Sequence, residues 1–517
     1  MAGYSGNLSD AMGALSVAND HSIELGLDNN IQAQLKKIKN NFESVFSWDI
    51  LQLSEFNQNI MFNIIDKVQE NLEMIIIDGK DNEFNFSGFY LQLIAIYEHY
   101  MSKRYMESYL GIETIVTFME TCKFDESNQQ YSDAYHHIAR ATKAYIASTL
   151  KIDSKKLLID VKPINNFNEA EKSSICAVKA SIFMYYPPNG NDIALELANR
   201  ACALHSTEPE WIIIWLKVKK RVRHRDEPYK IPGDDEIDAA LYLYDTQSKP
   251  ELLIQAHQTF KETGFINKIN YNNKKSQHFY KLSSDIAKKT IDLVKKNTNK
   301  QNSVLLMHCL HYPKYLLSQE FIDNIITKLT NVKNSYVHLT IGRYYLDREK
   351  DFVKAKMYLS HANTFGNFPS SLQLIKVECL LQPVHTFPYV QTLNDLYNVY
   401  QKPNTRVIIL IHILVYYNYC ENNPKEMMHY LKLYIDQDIS DIFKKRQLTF
   451  FRPLFNVGRF LKPNDFLNDL SANVKELINN NKWNEEEKKI IENTFDRSNK
   501  ILQLNIQDNN FDDDNNL

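Results

Sequence analysis

Glycine and proline are scarce in this chain, 13 and 15 among 517 residues. Folds dense in tight turns need both, glycine for left-handed backbone and proline to preset the turn. Their shortage disfavours a sheet of many hairpins. Together with long stretches rich in Leu, Ile, Lys, Asn and Tyr, it favours helices. Cysteine is sparse and scattered: Cys122, Cys176, Cys202, Cys309, Cys379 and Cys420, with no CxxC spacing. That pattern speaks against a disulfide framework and for reduced thiols in the cytoplasm. The most apolar run, Val407 to Tyr417, is too short to span a bilayer and is interrupted by His412. The opening "MAGYSGNLSDAMGALSVAND" has neither the basic start nor the apolar core of a signal peptide. A surplus of charge is also absent. With 60 basic and 63 acidic residues the net charge is −3, so any polyanion site must be a local patch.

The composition itself, 24% charged and 44% hydrophobic, is that of a soluble globular protein. The length is several times that of one compact domain, which predicts several domains or an extended repeat array. From Asn30 a helical period begins, with Leu35, Ile38, Phe42 and Val45 on one face. Residues 78–88 and 224–236 read as loops. Three segments share a repeat pattern. In the first, Ala194, Ala198 and Ala201 follow steps of four and three; in the second, Ala355, Leu359 and Ala362 do the same behind Gly342. A weaker third places Tyr416 to Tyr419 on one helix and Met427 to Leu433 on the next. A small residue where a second helix crosses closely is the mark of a tetratricopeptide unit. The expected fold is all-α, a superhelical α-solenoid of tetratricopeptide-like helix pairs. The expected organisation is a disordered tail over 1–28 and an N-terminal repeat subdomain over 29–250. A middle helical segment over 251–335 comes next, then a C-terminal repeat subdomain over 336–500 and an acidic disordered tail over 501–517.

One helix stands out. "EPEWIIIWLKVKKRVRHR", Glu208 to Arg225, is apolar in its first half and basic in its second. At 100° per residue, Trp211, Ile214, Trp215, Val218 and Val222 share a stripe. Lys217, Lys220, Arg221 and His224 gather on the far side. Such a face is either a solvated surface or the cationic wall of a binding groove.

Four stretches then resemble, in order and approximate spacing, the interferon-induced proteins with tetratricopeptide repeats. They are "LKKIKNNFESVFSWDI", "ALELANRACALHSTEPEWIIIWLKVKKRV", "FYKLSSDIAKKTIDLVKK" and "NSVLLMHCLHY". The resemblance is collinear over roughly residues 30–310. It implies a cytoplasmic, non-enzymatic protein of innate antiviral defence that binds single-stranded RNA, with a 5′ triphosphate or a cap at its end. It assigns Arg221 to the RNA 5′ end and Tyr280, Lys281 and His308 to the same basic tunnel. Lys281 stands where the family has arginine, and Cys309 where it has glutamine. Lys217, Lys220 and His224 join this list through the basic face.

Enzyme chemistry has little footing. The chain has no glycine-rich phosphate loop, HExxH, GxSxG or CxxC. His308 and His311 sit one turn apart but lack a second pair of ligands, and adjacent His136 and His137 diverge on a helix. No cofactor or metal is expected. The rival role is a scaffold whose groove takes a peptide or partner helix. Oligomers of like or unlike chains are compatible with either role, and no membrane association is expected.

Overall fold

The computed structural model describes residues 29–501, except 51–63, 79–81, 297–301, 459–464, much of 481–499 and single positions at 155, 160, 188, 228 and 422. The tail read at 1–28, and all but Ile501 of the tail read at 501–517, lie outside the described residues. The fold is all-α. The described residues contain no strand, only one isolated bridge between Glu83 and Lys123.

The described residues divide into two compact units, one up to residue 219 and the other from residue 220. In the first unit the helices are α1 (Asn29–Asn41), α2 (Ile64–Asp78), α3 (Phe86–Met101), α4 (Tyr105–Thr121), α5 (Ser132–Thr149), α6 (Glu169–Phe183) and α7 (Asn189–Leu204). Helix α8 (Pro209–Asp226) runs from the first unit's residues into the second's. The second unit continues with α9 (Asp234–Thr246), α10 (Pro250–Ile269), α11 (Asn273–Lys296), α12 (Ser303–Cys309), α13 (Gln319–Thr330) and α14 (Ser335–Tyr344). It ends with α15 (Phe352–Asn363), α16 (Phe368–Leu381), α17 (Tyr389–Val399), α18 (Pro403–Tyr419), α19 (Pro424–Ile435), α20 (Asp441–Phe450) and α21 (Asp465–Asn480). Sequence neighbours pack as pairs, notably α6 on α7, α10 on α11, α14 on α15 and α18 on α19.

The three repeats read from spacing are three of these pairs. In α7, Ala194, Ala198 and Ala201 are buried, and in α15 so are Ala355, Leu359 and Ala362. Met427 and Leu431 are buried on α19, in the same core as Ile409, Leu410 and Ile413 of α18. Gly342 has the role its place in the pattern predicts. A Cβ there would lie 2.7 Å from Leu359 Cγ and 3.3 Å from the Leu359 backbone nitrogen. Gly190 is tighter still, its Cβ direction blocked 2.2 Å away by the Phe183 carbonyl oxygen.

A chain poor in glycine must turn its corners otherwise. After α3, α5 and α10 the backbone goes left-handed at Lys103 (φ 61°), Lys151 (φ 61°) and Tyr271 (φ 55°). These are positions where glycine is usual. Many starts carry a side-chain cap. Asn168 and Glu171 form a reciprocal capping box on α6, and Asn302, Ser318 and Asn334 accept from the first turns of α12, α13 and α14.

The α14–α15 contact yields a direct test. Gly342→Ala gains about 1 kcal/mol of helix propensity but overpacks Leu359, at a cost of about 1–3 kcal/mol. The expected net is destabilisation in urea denaturation, larger for Gly342→Val. A more stable alanine variant would show that the helices are not in close contact there.

Candidate nucleic-acid interface

Helix α8 buries the stripe expected of it. Trp211, Ile214 and Val218 are buried, while Trp215 and Val222 are half-buried. The indole N–H of Trp211 donates to Ser173 Oγ at 3.1 Å, and that of Trp215 to Asn199 Oδ1 at 2.6 Å. Lys217, in the first unit's part of the helix, is exposed, and so is Arg221.

The rest of the basic run does not face water together. Arg223, three residues from the end of α8, is buried and holds the helix to its neighbours. Its Nε and Nη2 donate to the two carboxylate oxygens of Glu236, each at 3.2 Å, and Nη1 donates to the Lys230 carbonyl at 2.8 Å. Nη1 also bonds Glu262 on α10. Lys220 reaches the other oxygen of Glu262 at 3.1 Å, and His224 Nε2 lies 2.6 Å from the one Arg223 uses. Thus two of the four basic-face residues, Lys220 and His224, share one carboxylate. Burial alone would raise the Glu262 carboxyl. Hydrogen bonds from His224 and Arg223 and the charges of Lys220 and Arg223 outweigh burial and hold it down at about 2.

A second group of cations in the same unit has less acid to meet. On α10, Gln258, Lys261, Glu262 and Phe265 fall within about 100° of one another on the helical wheel. Lys261 and Phe265 are exposed. His308, on α12, is half-buried, its Nδ1 3.4 Å from Gln258 Nε2. His311 lies just past α12 and is solvent-accessible. Arg343 lies near the end of α14, and Arg348 lies on the π-helical turn Tyr345–Glu349 that extends it. Arg348 donates to the carbonyls of Tyr312 and His311, at 3.2 and 2.9 Å.

The charges of these groups act on one another. The Lys261 ammonium is lowered, first by desolvation, then by the charges of Arg348 and Lys220. His311 is pushed down to about 4 by desolvation, then by Lys261, Arg348 and Arg343, against the opposing charge of Asp347. His257, buried one turn before Lys261, is pushed down to about 3 by desolvation, then by Lys261, His308 and His311. Its Nε2 has no hydrogen-bond partner among the described residues. Lys261 and His311 are both exposed at the surface. Among the described residues, Lys261 makes no ion pair.

Two further residues read from the sequence lie elsewhere in the unit. Tyr280, on α11, is half-buried, and its ring packs against Gly264, where a Cβ would approach it to 3.1 Å. Lys281 is exposed on α11, and no electrostatic interaction among the described residues joins it to Lys261. Sequence reasoning missed Lys261, His257, Phe265, Arg343 and Arg348 as candidates and weighed His311 only as a metal ligand. Lys261 sits in an unremarkable stretch, "AHQTFKETGF", and nothing local marks it.

The shared carboxylate is testable. Glu262→Gln removes the anion that three cations use, at an expected cost of about 1.5–3 kcal/mol near neutrality. A depressed carboxyl stabilises the fold above its unfolded value of 4.5, and that stabilisation fades as pH falls toward 2. Denaturation curves of the two proteins should therefore differ at pH 7 and converge below pH 3. A constant difference across that range would detach the effect from ionisation.

No protein-family profile matches the chain, and neither does any curated protein sequence. Solved structures do match. The human IFIT1 dimer with PPP-AAAA superposes with a TM-score of 0.52 at 9% identity, over 90% of this chain and 98% of that one. The same dimer with m7Gppp-AAAA gives 0.50 at 10% identity, over 91% and 100%. A monomeric mutant of IFIT1 with Gppp-AAAA gives 0.52 at 10%, over 90% and 100%. At such low identity the likeness is one of fold: the chain is an α-solenoid of tetratricopeptide-like helix pairs that resembles the interferon-induced proteins with tetratricopeptide repeats along about nine-tenths of its length.

Proposed function

We propose that this chain is a non-enzymatic protein that binds single-stranded RNA on the cationic surface of its second unit. The observation that carries the reading is Lys261. It is an exposed ammonium without a carboxylate partner among the described residues, and with Arg343 and Arg348 it acts on His311. Such a group is unfavourable when empty and favourable when an anion enters. Phe265, one turn along the same face, is an exposed ring on which a base can stack. Arg221 on α8 extends the cationic surface. Lys220 and His224 contribute through their shared Glu262, while Lys281 serves as an outer phosphate contact and Tyr280 as the packing that sets α10 against α11. His308 is the hydrogen-bonding group beside Gln258. IFIT1 has been solved with triphosphate and capped oligonucleotides, which supports a phosphate-rich 5′ end as the part recognised here. With the family resemblance, this reading extends to a cytoplasmic antiviral effector of innate immunity.

A second reading rests on α15. Val353 and Met357, one turn apart, are 74% and 53% exposed. They form a small apolar strip of the kind a protein partner covers. Under that reading the chain is a scaffold, and the IFIT1 dimers support association between chains.

Fluorescence anisotropy with short RNAs separates the two. The RNA reading expects Lys261→Glu to weaken binding by tenfold or more, given about 1.5–3 kcal/mol for one charge-assisted hydrogen bond and added repulsion. Arg221→Glu should weaken it with an unchanged melting temperature, because its side chain is exposed. Phe265→Ala should cost about 1–3 kcal/mol of binding, the worth of one stacked base. Affinity should fall linearly with salt on a double-logarithmic plot. An unchanged isotherm for Lys261→Glu would move the assignment to the scaffold.

A further inference from the structure

We infer that the first unit carries a separate binding site, for a small monocarboxylate with an apolar stem, in a hollow beside α5 where the pairing of helices is interrupted. The site goes beyond the RNA reading, whose residues all lie in the second unit.

Helices α3 and α4 pack as a pair, and so do α6 and α7. After α5 that pattern breaks. The described residues of 150–168 hold only two one-turn 3₁₀ helices, Lys156–Leu158 and Ile164–Asn166. Pro163, at the start of the second, has no N–H to give a helical ladder. Where a second helix would cover α5, this connection leaves a cavity of about 510 Å³. Small-molecule sites commonly span about 300–1,000 Å³. The helix contributes Asp133, His136, His137 and Arg140 to the lining, and the connection contributes Ile159, Val161 and Lys162. The four helical residues fall within about 100° on the wheel, so they present one face.

Two of the polar groups are occupied in holding the wall. His137 Nε2 accepts from the Glu43 backbone N–H at 2.9 Å, and its Nδ1–H donates to the Lys162 carbonyl at 2.8 Å. Gln34 of α1 donates to Ser154 Oγ at 2.6 Å and fastens the connection nearer its start. The Lys162 ammonium is shared by Asp133, at 3.2 Å, and the buried Glu171. Two other groups have donors to give. The half-buried His136 makes no hydrogen bond among the described residues, and its ring touches only Phe124, centroids 6.1 Å apart. Arg140, half-buried one turn along, has a single ion-pair partner among the described residues. That partner is Glu120, mostly exposed, with Nη2 and Oε1 3.9 Å apart, beyond hydrogen-bond reach.

These groups define the ligand. The parallel N–H groups of a guanidinium match the two oxygens of a carboxylate. An imidazole N–H one turn away on the same face can reach the same head group. Because Lys162 is already matched by two acids, Arg140 is the one lining cation with an open fork. Asp133 and Glu120 stand close by, so a second negative charge on the ligand is unfavourable, which excludes a phosphate monoester. Beyond the head group the wall is aliphatic. Val161 is buried, while Ile159 is 74% exposed, and an apolar stem laid on it removes both from water.

The test is calorimetry on the full chain with butanoate, hexanoate and octanoate, and with octylamine and octyl phosphate as head-group controls. One octanoate should bind per chain, more tightly than either control. Affinity should rise by up to about fourfold for each added CH₂ that is buried. Arg140→Gln should weaken octanoate by about tenfold or more, and Arg140→Lys, which keeps the charge and loses the fork, by less. Ile159→Ser alters a side chain that already stands in water, so the fold should be unchanged while the gain per CH₂ shrinks. Octanoate affinity that neither Arg140→Gln nor Ile159→Ser alters would overturn the assignment. So would the absence of binding at millimolar octanoate, or octyl phosphate binding as tightly as octanoate. Displacement of octanoate by a short 5′-hydroxyl RNA would also overturn it, by making the hollow part of a nucleic-acid surface. Should Arg140→Gln fail to fold, the Ile159→Ser series and the head-group comparison decide. Failure of the carboxylates to bind leaves the RNA reading as it stands.

Discussion

Helices without a sheet can bury their apolar faces only against one another, and here the closeness of that contact hangs on residues with almost no side chain. Gly342 leaves the space that Leu359 fills, and Gly190 lies where the Phe183 carbonyl would block any Cβ. The alanines of α7 and α15 line the matching faces. Such contacts are steric, short-ranged and local to a pair. They leave the outward faces of the helices chemically unconstrained, which permits a cluster of like charges on α10, α12 and α14.

This division explains what could be read from the sequence. The repeat alanines and Gly342 announce themselves because packing demands a residue type at fixed spacing. The stripe on α8 was legible for the same reason, and Trp211 and Val218 are buried where the period puts them. Charge placement obeys no such period. The run from Lys217 to Arg225 looks like one cationic face, yet Arg223 turns inward to Glu236 and Glu262, and Lys220 and His224 join it at Glu262. Glu262 lies 38 residues beyond His224, too far for any local pattern to report.

The unread half of the site has the same cause. Lys261 carries weight only because Arg348, 87 positions later, is folded against the carbonyls of His311 and Tyr312. None of these residues belongs to a motif. Their significance is a property of the field they make together, and the field exists only after α10, α12 and α14 have packed. His311 illustrates the point: as a sequence element it suggested half a metal site, whereas in the structure its neighbours are cations.

The turn at Tyr345–Glu349 bears on how this region can change over generations. A π-helical turn amounts to one residue more than an α-helix would hold in the same span. Deleting a residue there would rewind the segment and swing the downstream chain by about 100°, taking Arg348 off its carbonyls and moving the left-handed Lys350 that closes the turn. Length variation among descendants of this gene should therefore accumulate in other connections and spare 345–350. There the reading of the helix is counted in whole residues, and one fewer would place a different side chain against the carbonyls of His311 and Tyr312.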